Sequence, residues 1–266
     1  MTPEHLGHAS PPENYQRFFV PVIGRPLAED LLREAALAGG ERVLDVGCGT
    51  GVVARLAAEQ VRREGKLAGV DIDPGMLEVA KAATPAELKI EWHEAGADAL
   101  PFDDGSFDVA LCGLSLQFMP DKQGALEEMH RVLAAGGRLV LNVPGPAAPL
   151  FENLAEAMDR HVGPKATGFV RAVFSLHEES ELEALLDDAG FQDVEAYAYT
   201  RDFALPAGKE FLWQYVGSTP LSGIVANAGG ESRSALETDV LAAWARYERD
   251  DGMSYRQRIV MASAHT

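Results

Sequence analysis

The chain has 266 residues, 47% hydrophobic and 24% charged, an ordinary globular composition, and it is long enough to bury roughly 70% of its unfolded surface without disulfide or metal staples. Twenty-three Lys and Arg stand against 41 Asp and Glu, a formal net charge of −18, which argues against DNA, RNA and anionic membrane surfaces as partners because a polyanion gains nothing from counterion release. Cys48 and Cys112 both lie in hydrophobic strand-like segments, the first twenty residues lack a basic stretch followed by an apolar one, and eighteen apolar residues never run together; a reducing, cytoplasmic setting without a membrane span is expected.

In chain order, residues 42–142 alternate short apolar runs with helical periods, the pattern of βαβ units on a mostly parallel sheet. Strands are expected at Arg42 to Val46, Lys66 to Asp71, Lys89 to His93, Phe107 to Cys112 and Arg138 to Val143, with a helix from Val52 to Arg63. Asp73-Pro74 reads as an acidic cap followed by Pro at the first helical position, and Asp121 caps a helix that Gly136-Gly137 should close. After Pro144 the prolines 146 and 149 break the pattern and an insertion begins, helical from Leu150 to about His161. Ser175 and Glu178 suggest a capping box ahead of a helix that Gly190 stops. A strand from Asp193 to Tyr199 follows, then an apolar stretch from Lys209 to Ala228, a Gly229-Gly230 break, a helix from about Arg233 to Arg249, and a last strand near Arg256 to Ala262. Eight carboxylates and no Lys or Arg between Glu178 and Glu195 read as a solvated helix face.

The string Val43-Leu44-Asp45-Val46-Gly47-Cys48-Gly49-Thr50-Gly51 runs a buried strand into a glycine turn and a helix, where backbone can approach a ligand that any Cβ would strike. Asp71 ends the next strand 22 residues after Gly49, where a carboxylate can accept hydrogen bonds from both hydroxyls of a ribose. Together they specify an adenosine-type ligand at the C-terminal edge of the sheet. The spacing is G-x-G-x-G, and Val52 occupies the third position of the dinucleotide fingerprint G-x-G-x-x-G, which weakens a nicotinamide reading; no Lys follows the glycines to make a phosphate loop. Asp45, inside a buried strand, needs backbone N–H groups of the glycine turn or a cationic ligand. Cys48 has no partner base and reads as a small packing residue of the loop.

These motifs, with Asp71-Ile72-Asp73, Ala97-Asp98-Ala99-Leu100-Pro101-Phe102 and Met129-His130-Arg131-Val132-Leu133, resemble the class I S-adenosylmethionine-dependent methyltransferases, in particular the group similar to the ubiquinone- and menaquinone-biosynthesis C-methyltransferases. The resemblance covers about residues 40 to 145. It implies an α/β, Rossmann-like, seven-stranded sheet with helices on both faces, an antiparallel last strand and a helical lid insertion. The implied organisation is an N-terminal lid and helix over 1–40, a cofactor-binding core over 41–145, a substrate-lid insertion over 146–180, and over 181–266 the rest of the core sheet with a second lid helix near 207–228. It implies S-adenosyl-L-methionine as cofactor, with Gly47, Cys48, Gly49 and Gly51 under its methionine part, Asp45 nearby, Asp71 on the ribose, Ile72 and Met76 along the adenine, and Ala97, Asp98 and Ala99 at the adenine edge. Tyr15, Leu114 and Gln117 complete the expected cofactor contacts.

The acceptor is expected to be a hydrophobic or aromatic small molecule, methylated on O, N or C, because the segments that build the acceptor pocket in this family are here rich in Phe, Met, Trp and Tyr. In-line displacement at a sulfonium needs alignment above all, and a base only if the acceptor must lose a proton; His161 and Gln117 are the candidates. No pair of histidines has metal-ligand spacing, so no metal is expected. Two alternatives stay open, a non-catalytic S-adenosylmethionine-binding protein and an NAD-dependent oxidoreductase. The oligomeric state has no signature in the chain.

Overall fold

Alternation along Arg42–Val46 (β1) assigns each residue a side of the sheet: Val43 belongs to one buried cluster with Leu31, Ala57 and Met261, and Leu44 and Val46 to another with Met129, Leu141 and Ala262. Such two-sided burial is what a central parallel strand requires. The structure, a computed structural model, describes residues 9–61 and 65–266; residues 1–8 and the end of the helix expected to reach Arg63 lie outside them.

In chain order the larger elements are α1 (Pro11–Asn14), α2 (Arg25–Ala35), β1, α3 (Val52–Val61), β2 (Lys66–Asp71), α4 (Pro74–Ala82), β3 (Glu91–Glu94), β4 (Phe107–Gly113), α5 (Lys122–Val132), β5 (Leu133–Pro144), α6 (Pro149–His161), α7 (Pro164–Val173), α8 (Glu179–Asp188), β6 (Gln192–Leu205), α9 (Gly208–Gly217), α10 (Leu221–Ala226), α11 (Gly230–Trp244), β7 (Glu248–Arg249) and β8 (Gly252–His265). Tyr15–Gly24 is wound as a wide π-helix around Pro21, whose missing N–H loosens the turn.

Strands run in the order β3-β2-β1-β4-β5-β8-β6, with β7 paired to β8 off that path. The seven-stranded expectation is met, and the two-residue β7 makes an eighth. β1 pairs in parallel with β2 (Val46 opposite Val70) and with β4 (Asp45 opposite Leu111), whereas β8 is antiparallel to β5, from Arg138 opposite His265 to Pro144 opposite Ile259. Helices α2 and α3 cover one face; α5 and α8 cover the other.

Two expected stops move. The helix capped by Asp121 ends at Val132, and Gly136-Gly137 fall inside β5; they build a bulge there, marked by the register shift between the Phe107 and Val109 pairings and by φ +76° at Gly136. Ser175 does not cap the next helix, because its hydroxyl donates to the Ala172 carbonyl at the end of α7. Glu178 takes the cap position without a side-chain bond. β3 starts two residues later than expected, β6 and β8 run longer, and the helix expected to reach Arg249 is α11, ending at Trp244.

By contacts the chain forms two units. The core unit comprises Gly24–Pro144, Leu176–Tyr199 and Ile259–Thr266; the second comprises the residues up to Ile23, Gly145–Ser175 and Thr200–Arg258. Helix α2 therefore belongs to the core.

Candidate functional site

The turn after β1 is shaped by its glycines. Gly47 lies at φ +67°, and a Cβ there would overlap the Ser115 hydroxyl. Gly49, at φ +54°, would carry its Cβ into open space with no heavy atom within 4 Å. One glycine thus admits a protein neighbour and the other leaves bare backbone facing outward, at the cost in chain entropy that any glycine carries. The turn is tied down by Cys48 N–H to Val70 O at 2.9 Å and Gly51 N–H to Cys48 O at 2.8 Å. Cys48 is buried, and burial raises its thiol pKa, so it packs and stays protonated, as its lack of a partner base implied.

Asp71 reaches back to this turn from the end of β2. Its Oδ2 accepts the Gly49 N–H at 2.7 Å and its Oδ1 the Asp73 N–H at 2.9 Å. The carboxylate thus anchors the bare turn and keeps a lone pair on each oxygen for a ligand. Burial pushes its pKa up, opposed by these backbone bonds.

Asp45 was expected to meet the glycine turn or a cation. Instead its Oδ2 accepts the N–H of Ala54, in the first turn of α3, at 2.9 Å, with the residue 1% exposed. The reason is alternation: Asp45 points to the α3 side of the sheet with Val43. Burial raises its pKa from 3.8 to about 7, so the folded chain keeps a proton over a range where an unfolded Asp has lost it. Stability from this group therefore falls as pH rises through that range. Asp45→Asn, which cannot ionise, is expected to flatten this fall. Melting temperatures of the two proteins, measured in parallel from about pH 4 to about pH 8, should separate with wild type dropping faster; parallel curves would refute the assignment.

Beyond Asp71, Ile72 is 75% exposed, an apolar side chain left in solvent at the edge of the sheet. Met76 is half-buried on α4, whose N-terminus Asp73 caps by accepting the Gly75 N–H at 2.8 Å. Ala97 is half-buried; Asp98 and Ala99 are exposed. The Asp98 carboxylate has no hydrogen-bond partner among the described residues and does not cap a turn. The chain that follows is held by Arg131, which donates to the carbonyls of Leu100 and Phe102 at 3.2 and 2.8 Å and pairs with Glu128 and Asp104. Glu128 in turn accepts the Leu100 N–H at 2.9 Å. Arg131→Ala is expected to loosen residues 98–104 and weaken S-adenosylhomocysteine binding by about three- to tenfold, read by calorimetry. Unchanged affinity would detach this network from the site.

After β4, Leu114 adopts φ +54°, an uncommon conformation for a residue with a Cβ, and one that persists only when its surroundings hold it. Asn142 supplies the hold: its backbone and side-chain oxygens both accept the Leu114 N–H, at 2.9 and 3.2 Å, while its Nδ2 donates to Leu27 O at 3.1 Å. The turn delivers Gln117, 5% exposed, with Nε2 donating to Leu114 O at 3.0 Å and a buried Oε1 that has no partner among the described residues. The Thr50 hydroxyl is buried and unpartnered in the same way. An unsatisfied buried acceptor costs about 1–3 kcal/mol, so such groups point to a ligand.

Sequence reasoning missed three supports. Trp92 packs against Gly69 and Gly51, Arg55 donates to the Thr50 carbonyl at 2.5 Å, and Asn142 holds Leu114. Asn142, a polar residue between Leu141 and Val143 in a buried strand, carried a readable signal.

Tyr15 and His161 belong to the second unit. Tyr15 stacks on Phe19 with centroids 4.7 Å apart. His161 Nε2 lies 2.7 Å from Asp239 Oδ2, which Arg160 also contacts, tying α6 to α11. Among the described residues no group of three or more His, Cys, Asp or Glu could hold a metal, and no helix is long and apolar enough to cross a membrane.

Residues 44–141 match the family model described as a methyltransferase domain. The chain is 34% identical over 173 residues to the demethylmenaquinone methyltransferase of Staphylococcus epidermidis strain RP62A, covering 60% of this chain and 72% of that one. Its fold is similar to a putative methyltransferase of Bacillus halodurans C-125, with TM-score 0.60, 24% identity, and 90% and 97% of the two chains covered. It is also similar to an S-adenosylmethionine-dependent methyltransferase of Aquifex aeolicus, with TM-score 0.50, 24% identity, and 63% and 80% covered.

Proposed function

This chain belongs to the S-adenosylmethionine-dependent methyltransferases acting on small molecules, and from that premise we propose that it methylates O, N or C of a hydrophobic or aromatic acceptor. The observation that carries the cofactor's placement is Gly49, whose left-handed backbone faces open space beside the Asp71 carboxylate. The residues fit an adenosyl sulfonium: bare backbone at Gly49, lone pairs on Asp71 for ribose hydroxyls, the exposed side chain of Ile72 with Met76 for the adenine, and the unpartnered Asp98 beside Ala97 and Ala99 for its exocyclic amine. Gly47, Cys48 and Gly51 hold the turn in shape, and Asp45 braces it from behind through Ala54.

When bound, the cofactor supplies a methyl group already activated for displacement. What the chain contributes is alignment, which can account for much of the rate. Gln117, clamped by the Leu114 carbonyl, offers Oε1 as a fixed acceptor for a ligand N–H or O–H; an amide does not titrate at neutral pH, so it orients and does not remove protons. Where the acceptor must lose a proton, His161 is the candidate. With Nε2–H donated to Asp239, its Nδ1 is free to accept.

We assign cofactor binding to the core unit and acceptor choice to the second. The net charge of −18 argues against nucleic acid and anionic membranes as partners, and the two free, buried cysteines suit a reducing cytoplasm. The deciding experiment is calorimetric titration with S-adenosylmethionine, S-adenosylhomocysteine and NAD in parallel, followed by methyl transfer to a panel of aromatic acceptors. Binding of the two sulfur compounds alone, with turnover, is expected. Binding to NAD alone overturns the cofactor assignment, and binding without turnover across the panel favours a non-catalytic binder.

A further inference from the structure

From Leu139 to Pro144 every residue of β5 is buried, and Asn142, 1% exposed, is the only one with polar side-chain atoms. Burying an amide is costly unless its ends are bonded. Here both ends are: Oδ1 accepts the Leu114 N–H at 3.2 Å and Nδ2 donates to the Leu27 carbonyl of α2 at 3.1 Å. The Leu114 N–H also meets the Asn142 backbone oxygen at 2.9 Å, a bond that any residue at position 142 could accept. Only the side chain adds the second acceptor and the tie to α2. What it holds is a leucine at φ +54°, a conformation that side chains with a Cβ rarely take. The carbonyl of that same leucine fixes the Gln117 amide through Nε2 at 3.0 Å and leaves Oε1 buried and without a partner among the described residues. Between the two, Ser115 lies against the turn after β1, where a Cβ on Gly47 would overlap its hydroxyl. The orphan oxygen of Gln117 is thus carried by a loop that packs on the glycine turn.

We propose that Asn142 is a positioning residue for cofactor recognition: by holding Leu114 left-handed it keeps Gln117 Oε1 in place to accept a hydrogen bond from the α-ammonium of the cofactor's amino-acid end. The inference rests on the methyltransferase reading and deepens it. Of the cofactor's hydrogen-bond donors, the ribose hydroxyls fall to Asp71 and the exocyclic amine to Asp98, so the ammonium is the one still lacking an acceptor. An amide oxygen suits it, since a charged donor strengthens the bond. Asn142 itself touches no ligand. Its removal lets the Leu114 turn relax toward negative φ and swings away the carbonyl that clamps Gln117.

The test titrates the full chain by calorimetry with S-adenosylhomocysteine and with methylthioadenosine, which keeps the adenosine and the sulfur but has no amino-acid end. Wild type is expected to favour S-adenosylhomocysteine by about tenfold or more, and Gln117→Met to cut that preference about fivefold or more. Asn142→Ala should cut it as far while leaving methylthioadenosine affinity within about twofold of wild type. The double variant should lose no more than Gln117→Met alone, because both changes act on one bond. Asn142→Asp keeps an oxygen for the Leu114 N–H and should keep the preference. A residue that only supports the fold would weaken both ligands together. Equal losses for the two ligands in Asn142→Ala, an intact preference in that variant or in Gln117→Met, additive losses in the double variant, or equal binding of the two ligands by wild type each overturns the proposal. Should Asn142→Ala fold poorly, Asn142→Asp set against Gln117→Met carries the comparison, and a preference lost in the aspartate variant overturns it. Failure of wild type to bind either ligand overturns the methyltransferase reading instead.

Discussion

Asp71→Ala is expected to weaken S-adenosylhomocysteine binding by about 3 kcal/mol, roughly a hundredfold. The carboxylate holds two backbone N–H groups, from Gly49 at 2.7 Å and Asp73 at 2.9 Å, and in the proposed complex it also accepts the ribose hydroxyls. Alanine would leave those donors unpaired in a partly buried site and release the bare Gly49 turn from its anchor. Asp71→Asn retains one acceptor oxygen and should fall between. Calorimetry with the demethylated product separates binding from turnover. Wild-type affinity in Asp71→Ala would remove the cofactor from this edge of the sheet.

The second large effect concerns stability. Trp244→Ala is expected to cost about 3–5 kcal/mol. Trp244 is fully buried on α11, its indole N–H donates to the Leu150 carbonyl of α6 at 2.9 Å, and its ring lies 5.7 Å from Phe211 of α9. Truncation opens a cavity where three helices meet and removes the bond from α11 to the Leu150 carbonyl. Trp244→Phe keeps most of the volume but loses the donor, and should cost about 1–2 kcal/mol. Denaturant unfolding monitored by circular dichroism measures both; a change under about 1 kcal/mol for alanine would show that the helices repack freely around the gap.

Periodicity was enough to read the core's framework. β1 and β2 fall on the expected residues because a buried parallel strand is a continuous apolar run closed by Gly or Asp, and the caps at Asp73 and Asp121 act locally, each on an N–H two or three residues on. What could not be read depends on distant chain. Ser175 has capping chemistry, but α7 ends at its doorstep and offers the Ala172 carbonyl first. Gly136-Gly137 look like a helix stop, yet pairing with β4 draws them into a bulged strand. In the site, Gly49 and Asp71 announce themselves by spacing, whereas Asn142 serves Leu114 from 28 residues away, and Asp45 finds Ala54 only because strand alternation turns it toward α3. The aromatic cluster of the second unit has no sequence signature, since Tyr215 and Tyr255 gather around Phe151 only in three dimensions.

The second unit is written in three separate stretches of chain, with core sequence between them. No two cuts release it, and no single graft exchanges it. A chimera meant to move acceptor preference between relatives would have to transplant all three stretches at once, so that recombination at one crossover point yields hybrids with mismatched aromatic partners. A single substitution within the rings around Phe151 disturbs one packed cluster, whereas exchange of a whole segment leaves the other two stretches without their own packing partners.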